Sequence, residues 1–390
     1  MNTESKAPEL SPLKVALAGA LVIAASMGIG RFAYTPLLPG LLETLDWSVA
    51  RAGDVASANF FGYLLGAMAS TLLVHRPQRH QALLYGLLIS ALSTLACALS
   101  DSYMFWLLIR FVSGFASAFA MILGTAVVVE VFRRHQRPQL INTHFAGLSL
   151  GIIGSVLIIE VAKYLDLSVF VQWGILGIAS ALMFVAAWRV LGKISTGPGT
   201  LTHRPGASPG LGKNPSLFRL IIAYGFMGFG YVVTATFIVT IARGLEASDF
   251  LEPTTWIVVG AVGGPSMYVW QRFYDRSNVF LALRLAYAIQ AVGVLLAGVA
   301  DSSAGVLLGG AMLGGTFMAI TSMGFIAARQ LAPGYEDKAI AWMTVSFGIG
   351  QLLGPAVAGR MAEATGGFSA PSLLASLLLI CGIILIKNKP

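Results

Sequence analysis

Two arginines stand inside long apolar runs: Arg31 in GIGRFAYTPLLPG (28–40) and Arg110 in MFWLLIRFVSGFASAF (104–119). A guanidinium carries five N–H donors in a fixed fork that matches a carboxylate. Where water is scarce, such a fork binds an anion through charge-assisted hydrogen bonds, so Arg31 is the first candidate for holding an anionic group. At helical spacing Arg31 shares a face with Met27, Gly28, Tyr34 and Thr35, and Arg110 with Ser113, Gly114, Ser117 and Met121. Both faces mix small and polar residues, whereas a lipid-facing stripe would be rich in Leu and Val. The structural alternative is that Arg31 pairs with Asp54 or Asn59, or reaches the surface, and that Arg110 donates to backbone carbonyls and locks two helices together.

Coupling transport to protons needs a titratable group that changes its exposure. Asp54 and His144 are the candidates. The apolar runs hold no DxxxD or HxxxD cluster for a metal or diphosphate, which argues against an enzyme such as a lipid transferase. There is no GxxxxGK loop, so active transport would draw on an ion or solute gradient. Cys97 and Cys381 both fall in apolar runs and behave as small hydrophobes. No metal site or cofactor is expected.

Long apolar helices must position these groups. Of 390 residues, 56% are apolar and 11% are charged, against about 25% charged in a soluble domain. The apolar residues come in runs of about 20 without alternation, which predicts membrane-spanning helices and excludes a β-barrel. Twelve spans are expected at roughly 13–38, 52–74, 81–99, 103–129, 140–162, 169–190, 217–242, 254–274, 279–300, 305–330, 338–361 and 369–386. The first is too long for a signal peptide and is read as retained. Pro36 and Pro39 are expected to bend or end it.

Twelve spans put both termini on one side. Of the 25 Lys and Arg, nineteen fall on that side, among them Lys6, Arg76, Arg133, Arg204, Lys213 and Lys389. Arg51, Lys163, Arg243 and Arg360 fall on the other. The positive-inside rule places the termini in the cytoplasm of an inner membrane. The net charge of +8 is thus a topology signal and does not point to nucleic acid.

The stretch 191–216 is rich in Gly, Pro and Ser and reads as a cytoplasmic linker between bundles at 1–190 and 217–390. The halves repeat at an offset near 200. MGIG (27–30) becomes MGFG (227–230), Asp101-Ser102 becomes Asp301-Ser302, Leu107-Leu108 becomes Leu307-Leu308, and Gly114 becomes Gly314. At this offset Arg31 corresponds to Tyr231 and Arg110 to Gly310. The second half offers Tyr224, Tyr231 and Thr234 on one helix face, and Phe317 and Thr321 on another. A cavity between the halves would be cationic on one wall and aromatic and polar on the other. Arg31 would take the anionic group, and Tyr231 with its neighbours the less polar body of the ligand. Gly62 and Gly66, with Gly260 and Gly264, are small-xxx-small pairs that pack helices.

The motifs resemble those of the major facilitator superfamily over essentially the whole chain. Arg110-Phe-Val-Ser-Gly114 is similar to its RxxxG motif. Gly147-Leu-Ser-Leu-Gly151-Ile-Ile-Gly154, and more fully Gly350-Gln-Leu-Leu-Gly354-Pro355 through Gly359, are similar to its antiporter glycine motif. GRFAYTPLLP, followed by Ala58-Asn59-Phe60-Phe61-Gly62-Tyr63-Leu64-Leu65-Gly66, resembles the bacterial YbfB/YjiJ-type group. The loop His75-Arg76-Pro77-Gln78-Arg79-His80 departs by lacking an acid, while its counterpart keeps Asp275-Arg276. The resemblance implies an all-α integral membrane fold of two pseudo-symmetric six-helix bundles. It implies alternating access, with the first, fourth, seventh and tenth spans lining a central cavity, and a monomer in the bilayer.

The site expected on these grounds has Arg31, Tyr34, Asn59, Arg110, Ser113, Tyr231, Thr234 and Thr321 for the substrate. Asp54 and His144 would serve a proton or other coupling ion, and Asp275, Arg276, Gly354 and Pro355 gating. The expected function is secondary active transport of a small organic solute, with an anion favoured and proton-coupled antiport or efflux as its mode. The alternatives are a proton-driven exporter of hydrophobic drugs whose arginines are structural, and a channel or non-transporting sensor.

Overall fold

The computed structural model describes residues 10–73, 75–194, 214–245 and 250–387. Most of the expected linker, with Arg204 and Lys213, lies outside them, as do Lys6 and Lys389.

Among the described residues twelve helices follow one another: α1 Pro12–Leu45, α2 Val49–Thr71, α3 Arg76–Ala96, α4 Tyr103–Arg134, α5 Ile141–Tyr164, α6 Val169–Leu191, α7 Pro215–Gly244, α8 Leu251–Arg276, α9 Val279–Val299, α10 Ser303–Leu331, α11 Glu336–Thr365 and α12 Ser369–Leu385. Among the described residues, eight are long and apolar enough to cross a membrane on those grounds alone. Two that fall short by composition, α2 and α8, face the opposite half of the molecule and carry polar residues there. The exposed side chains on the outside of the bundle are large and apolar, such as Leu99, Leu182 and Ile384, as a lipid-facing surface requires.

Of the two outcomes expected at Pro36 and Pro39, a bend or an end, the end does not occur: α1 runs on to Leu45 and closes on Asp46 in the left-handed region, φ 48°. The reason is a break further back. Ala24–Ile29 forms a π-turn, with Gly30 N–H bonded to Ala25 C=O at 2.9 Å and Phe32 N–H to Met27 C=O at 3.0 Å. Helix restarts at Tyr34, so Pro36 sits in its first turn, where a missing N–H is free of cost. Pro39 alone lies in its interior.

The halves meet through α2 on α11, α5 on α8 and α1 on α7. A twofold axis that exchanges the halves maps the first of these contacts onto the second. Its offset is visible at single residues. A Cβ on Gly114 would strike the Asn59 carbonyl, and one on Gly314 would strike the Val259 carbonyl, so each glycine lets two helix backbones touch. Near the axis, repeat-related residues meet each other: Thr35 Oγ1 donates to Ala235 C=O at 2.6 Å, and Arg243 pairs with Glu43 at 2.6 Å. Gly62 and Gly66 pack α2 on the backbone of α4, while Gly260 and Gly264 pack α8 on Ile152 and Ser149 of α5.

Candidate functional site

The break in α1 leaves carbonyl groups turned out of the helix. Arg110 is placed to meet them. Its Nη1 donates to Gly30 C=O at 2.7 Å and its Nη2 to Arg31 C=O at 3.2 Å, with Ser113 Oγ donating to Gly30 C=O at 3.4 Å. The guanidinium is 1% exposed and lies over the rings of Tyr34 and Trp173, 5.1 and 5.8 Å from their centroids. Asn59 Nδ2 in turn donates to the Arg110 carbonyl at 2.9 Å, and Tyr34 OH donates to Ala52 C=O at 2.9 Å. Arg110 and Gly114, one turn apart, thus join α4 to α1 and to α2.

Arg31 is placed differently. It is 5% exposed, and its guanidinium stands 4.3 Å from the Phe60 ring centroid and 4.4 Å from that of Tyr63. Its Nε and Nη2 are buried without a hydrogen-bond partner, and among the described residues no carboxylate pairs with it. A cation–π contact is worth about 2 kcal/mol or more when desolvated. Two such faces hold the charge without neutralising it. Arg31, Tyr34, Asn59 and Arg110 line one cavity of about 10 Å³ together with Thr35, Phe60 and residues of α7, room for about one water.

The second half carries an aromatic cluster on α7, α10 and α11, while its residues lining the cavity itself are Ala235 and Thr236. The Tyr231 ring lies near-parallel to Phe317, at 5.9 Å and 8°, and to Phe347, at 5.7 Å and 4°. Phe347 stacks in turn on Tyr224. Gln351 Nε2 donates to the Tyr231 hydroxyl. Thr234 is buried with Oγ1 unpartnered, while Thr321 bonds back to Phe317 C=O on its own helix at 2.9 Å.

The remaining expected residues lie elsewhere. Asp54 does not reach Arg31; it pairs with Arg360 of the other half through two bonds, 2.7 and 3.0 Å, and accepts from Tyr103 OH at 3.3 Å. His144 is fully buried inside the first half, its Nε2 3.0 Å from Thr125 Oγ1 and its ring against Gly19. Asp275 and Arg276 are exposed at the end of α8. Pro355 lies inside α11 with its carbonyl against Gly53 of α2, and the next N–H, of Ala356, donates to Ser57 Oγ at 3.1 Å. Gly354 packs on Val232 and Phe229 of α7.

Bonds between the halves gather on the side away from the termini. Besides Asp54–Arg360 and Glu43–Arg243, Ala50 N–H donates to Glu363 at 2.9 Å, and Lys163 stands 3.7 Å from Glu252, which also binds Arg243 at 2.7 Å. These bonds clasp the halves together on that side. Asp54 and Arg360 are partly exposed, so their pair is worth up to about 1 kcal/mol. Asp54→Asn should therefore raise, about threefold to fivefold, the rate at which an impermeant maleimide applied from that side labels Ala56→Cys at the cavity, with Cys97 and Cys381 replaced by Ser. An unchanged rate would mean that the pair does not hold the clasp.

Sequence reasoning missed Gln351 and Arg360. For Gln351 the signal was present, a lone amide beside Gly-Pro in an apolar helix.

Known proteins resemble this chain in sequence and in fold. The family model described as "Uncharacterised MFS-type transporter YbfB" matches residues 23–387. The inner membrane transport protein YdhP of Escherichia coli O157:H7 is 23% identical over 380 residues, covering 94% of each chain. The 4-hydroxybenzoate transporter PcaK of Pseudomonas aeruginosa is 32% identical over 111 residues, 28% of this chain and 25% of that one. The crystal structure of nucleoside transporter NupG superposes with a TM-score of 0.73 at 15% identity, over 97% of this chain and 99% of that one, which speaks for the fold. With its twelve helices, its internal twofold and a family match over nearly its full length, the chain belongs to the YbfB-type family of major facilitator superfamily transporters.

Proposed function

We propose that this transporter carries a small aromatic carboxylate by alternating access across the inner membrane, in exchange for protons, as a monomer with both termini in the cytoplasm. The observation that carries the reading is Arg31: a buried guanidinium with unpartnered Nε and Nη2, no carboxylate beside it, and Phe60 and Tyr63 on its faces. A cation costs about 2.5–3.5 kcal/mol at the centre of a membrane helix. A substrate carboxylate would supply the missing countercharge and accept from the free donors. The surrounding rings suit an aromatic body, and the local similarity to a 4-hydroxybenzoate transporter supports the same class. Asp54 is the coupling group proposed, since its protonation would remove one strand of the clasp between the halves. The glycine runs of α5 and α11 fit antiport.

The test is thermal denaturation of the purified protein with benzoate and its ring-hydroxylated forms, against the uncharged isostere benzamide. At a hundred times Kd a ligand stabilises by about 2.7 kcal/mol, so the carboxylates should raise the midpoint by several degrees and benzamide should not. Stabilisation by neutral hydrophobic drugs and by no carboxylate would favour a drug exporter with structural arginines.

A further inference from the structure

Gln351 is 1% exposed, and while its Nε2 donates to the Tyr231 hydroxyl, its Oε1 is buried with no partner. Buried amide oxygens are almost always bonded. This one lies on a helix that packs on α2 across the boundary between the halves, where an O–H donor on a bound ligand would complete it.

Contacts on either side of Gln351 place this oxygen. Gly348 packs on Leu64 of α2, and Ala356 N–H donates to Ser57 Oγ of α2 at 3.1 Å. Gln351 lies between these two contacts, so its stretch of α11 runs along the stretch of α2 that carries Phe60, the ring under the Arg31 guanidinium.

We propose that Gln351 is a specificity-determining residue: its Oε1 accepts a hydrogen bond from a hydroxyl group on the carried aromatic acid. The inference rests on the reading of Arg31 as the carboxylate site. Arg31 holds unpartnered donors and Gln351 an unpartnered acceptor, with Tyr231 between them. A ligand that satisfies both residues carries an anionic acceptor and a separate O–H donor. The Tyr231 hydroxyl accepts from Gln351, so its own proton is available to the same ligand. The Phe317 and Phe347 rings pack near-parallel to the Tyr231 ring. A site built to bond a hydroxyl discriminates against the analogue without one, because the amide oxygen is then left bare.

The experiment measures competition by benzoate, the three monohydroxybenzoates and 4-methoxybenzoate against a bound fluorescent or labelled hydroxybenzoate. It compares wild type with Gln351→Met, which keeps the volume. In the wild type the preferred hydroxybenzoate should bind about tenfold more tightly than benzoate, the worth of one hydrogen bond. The methoxy analogue, which has the oxygen but no proton to donate, should lose that advantage without recourse to any variant. In Gln351→Met the advantage should fall to about onefold while benzoate affinity stays within about twofold. If wild type binds all these acids equally, or if folded Gln351→Met keeps the preference, the assignment of Gln351 is overturned and the Arg31 reading stands. If no carboxylate binds the wild type at all, both fall together.

Discussion

Arg31→Ala should lower counterflow of the carried anion in proteoliposomes by about a hundredfold or more, while leaving the ligand-free protein as stable as before. Hydrogen bonds to a charged group are worth about 1.5–3 kcal/mol each. Arg31 offers two free nitrogens, so their loss removes about 3–6 kcal/mol, and each 1.4 kcal/mol is tenfold. Stability of the ligand-free protein should barely move. The substitution deletes a buried cation that costs about 2.5–3.5 kcal/mol and with it cation–π contacts of about the same total. These offset one another, so the ligand-free melting midpoint should shift by no more than a few degrees. Arg31→Lys keeps the charge but loses the fork, so an intermediate loss of about tenfold is expected. A well-folded Arg31→Ala protein that is still stabilised by benzoates would remove the anion site from this position.

Much of this protein was legible in its sequence because a membrane restricts the chain so severely. Runs of about 20 apolar residues have one use, and the 200-residue offset was visible in MGIG and MGFG before Thr35 was seen bonded to Ala235. What the sequence could not separate was the work of the two arginines. Both lie in apolar helices on small, polar faces. The difference is a π-turn at Ala24–Ile29, which no residue type announces. It exposes the carbonyls that occupy Arg110 and turns Arg31 to the boundary between the halves. The same turn explains why α1 runs past Pro36. Asp54 was matched to the wrong partner because its pair lies 306 residues away on α11, beyond any local spacing rule. Tyr231 was legible as an aromatic counterpart of Arg31 from the offset alone, but its near-parallel neighbours Phe317 and Phe347, 86 and 116 residues further on, follow from no local spacing rule.

Arg110→Met should give the converse of Arg31→Ala: a protein that binds its ligand but melts early. Arg110 spends its Nη1 and Nη2 on the carbonyls of Gly30 and Arg31. In a bilayer no water replaces a lost donor, and an unsatisfied backbone group is costly. Hydrogen bonds to a charged group are worth about 1.5–3 kcal/mol each, and for a chain of this length roughly 1.2 °C of melting temperature goes with each kcal/mol. A fall of roughly 4–6 °C is expected, or lower expression if the first half cannot assemble. Arg110→Lys should recover part of it, since an ammonium reaches one carbonyl where the fork reaches two. Fluorescence of the Trp106–Trp173 pair, 5.6 Å apart behind Arg110, would report whether α4 has moved. Per folded molecule, Arg110→Lys should bind hydroxybenzoate within about threefold of wild type, because its donors face the backbone and Arg31 still faces the ligand. If Arg110→Lys is as stable as wild type yet loses binding, then Arg110 shares the anion and the two arginines act as one site. If it melts early and binds, they are two devices: one closes the break in α1, and the other uses the charge that the break sets free.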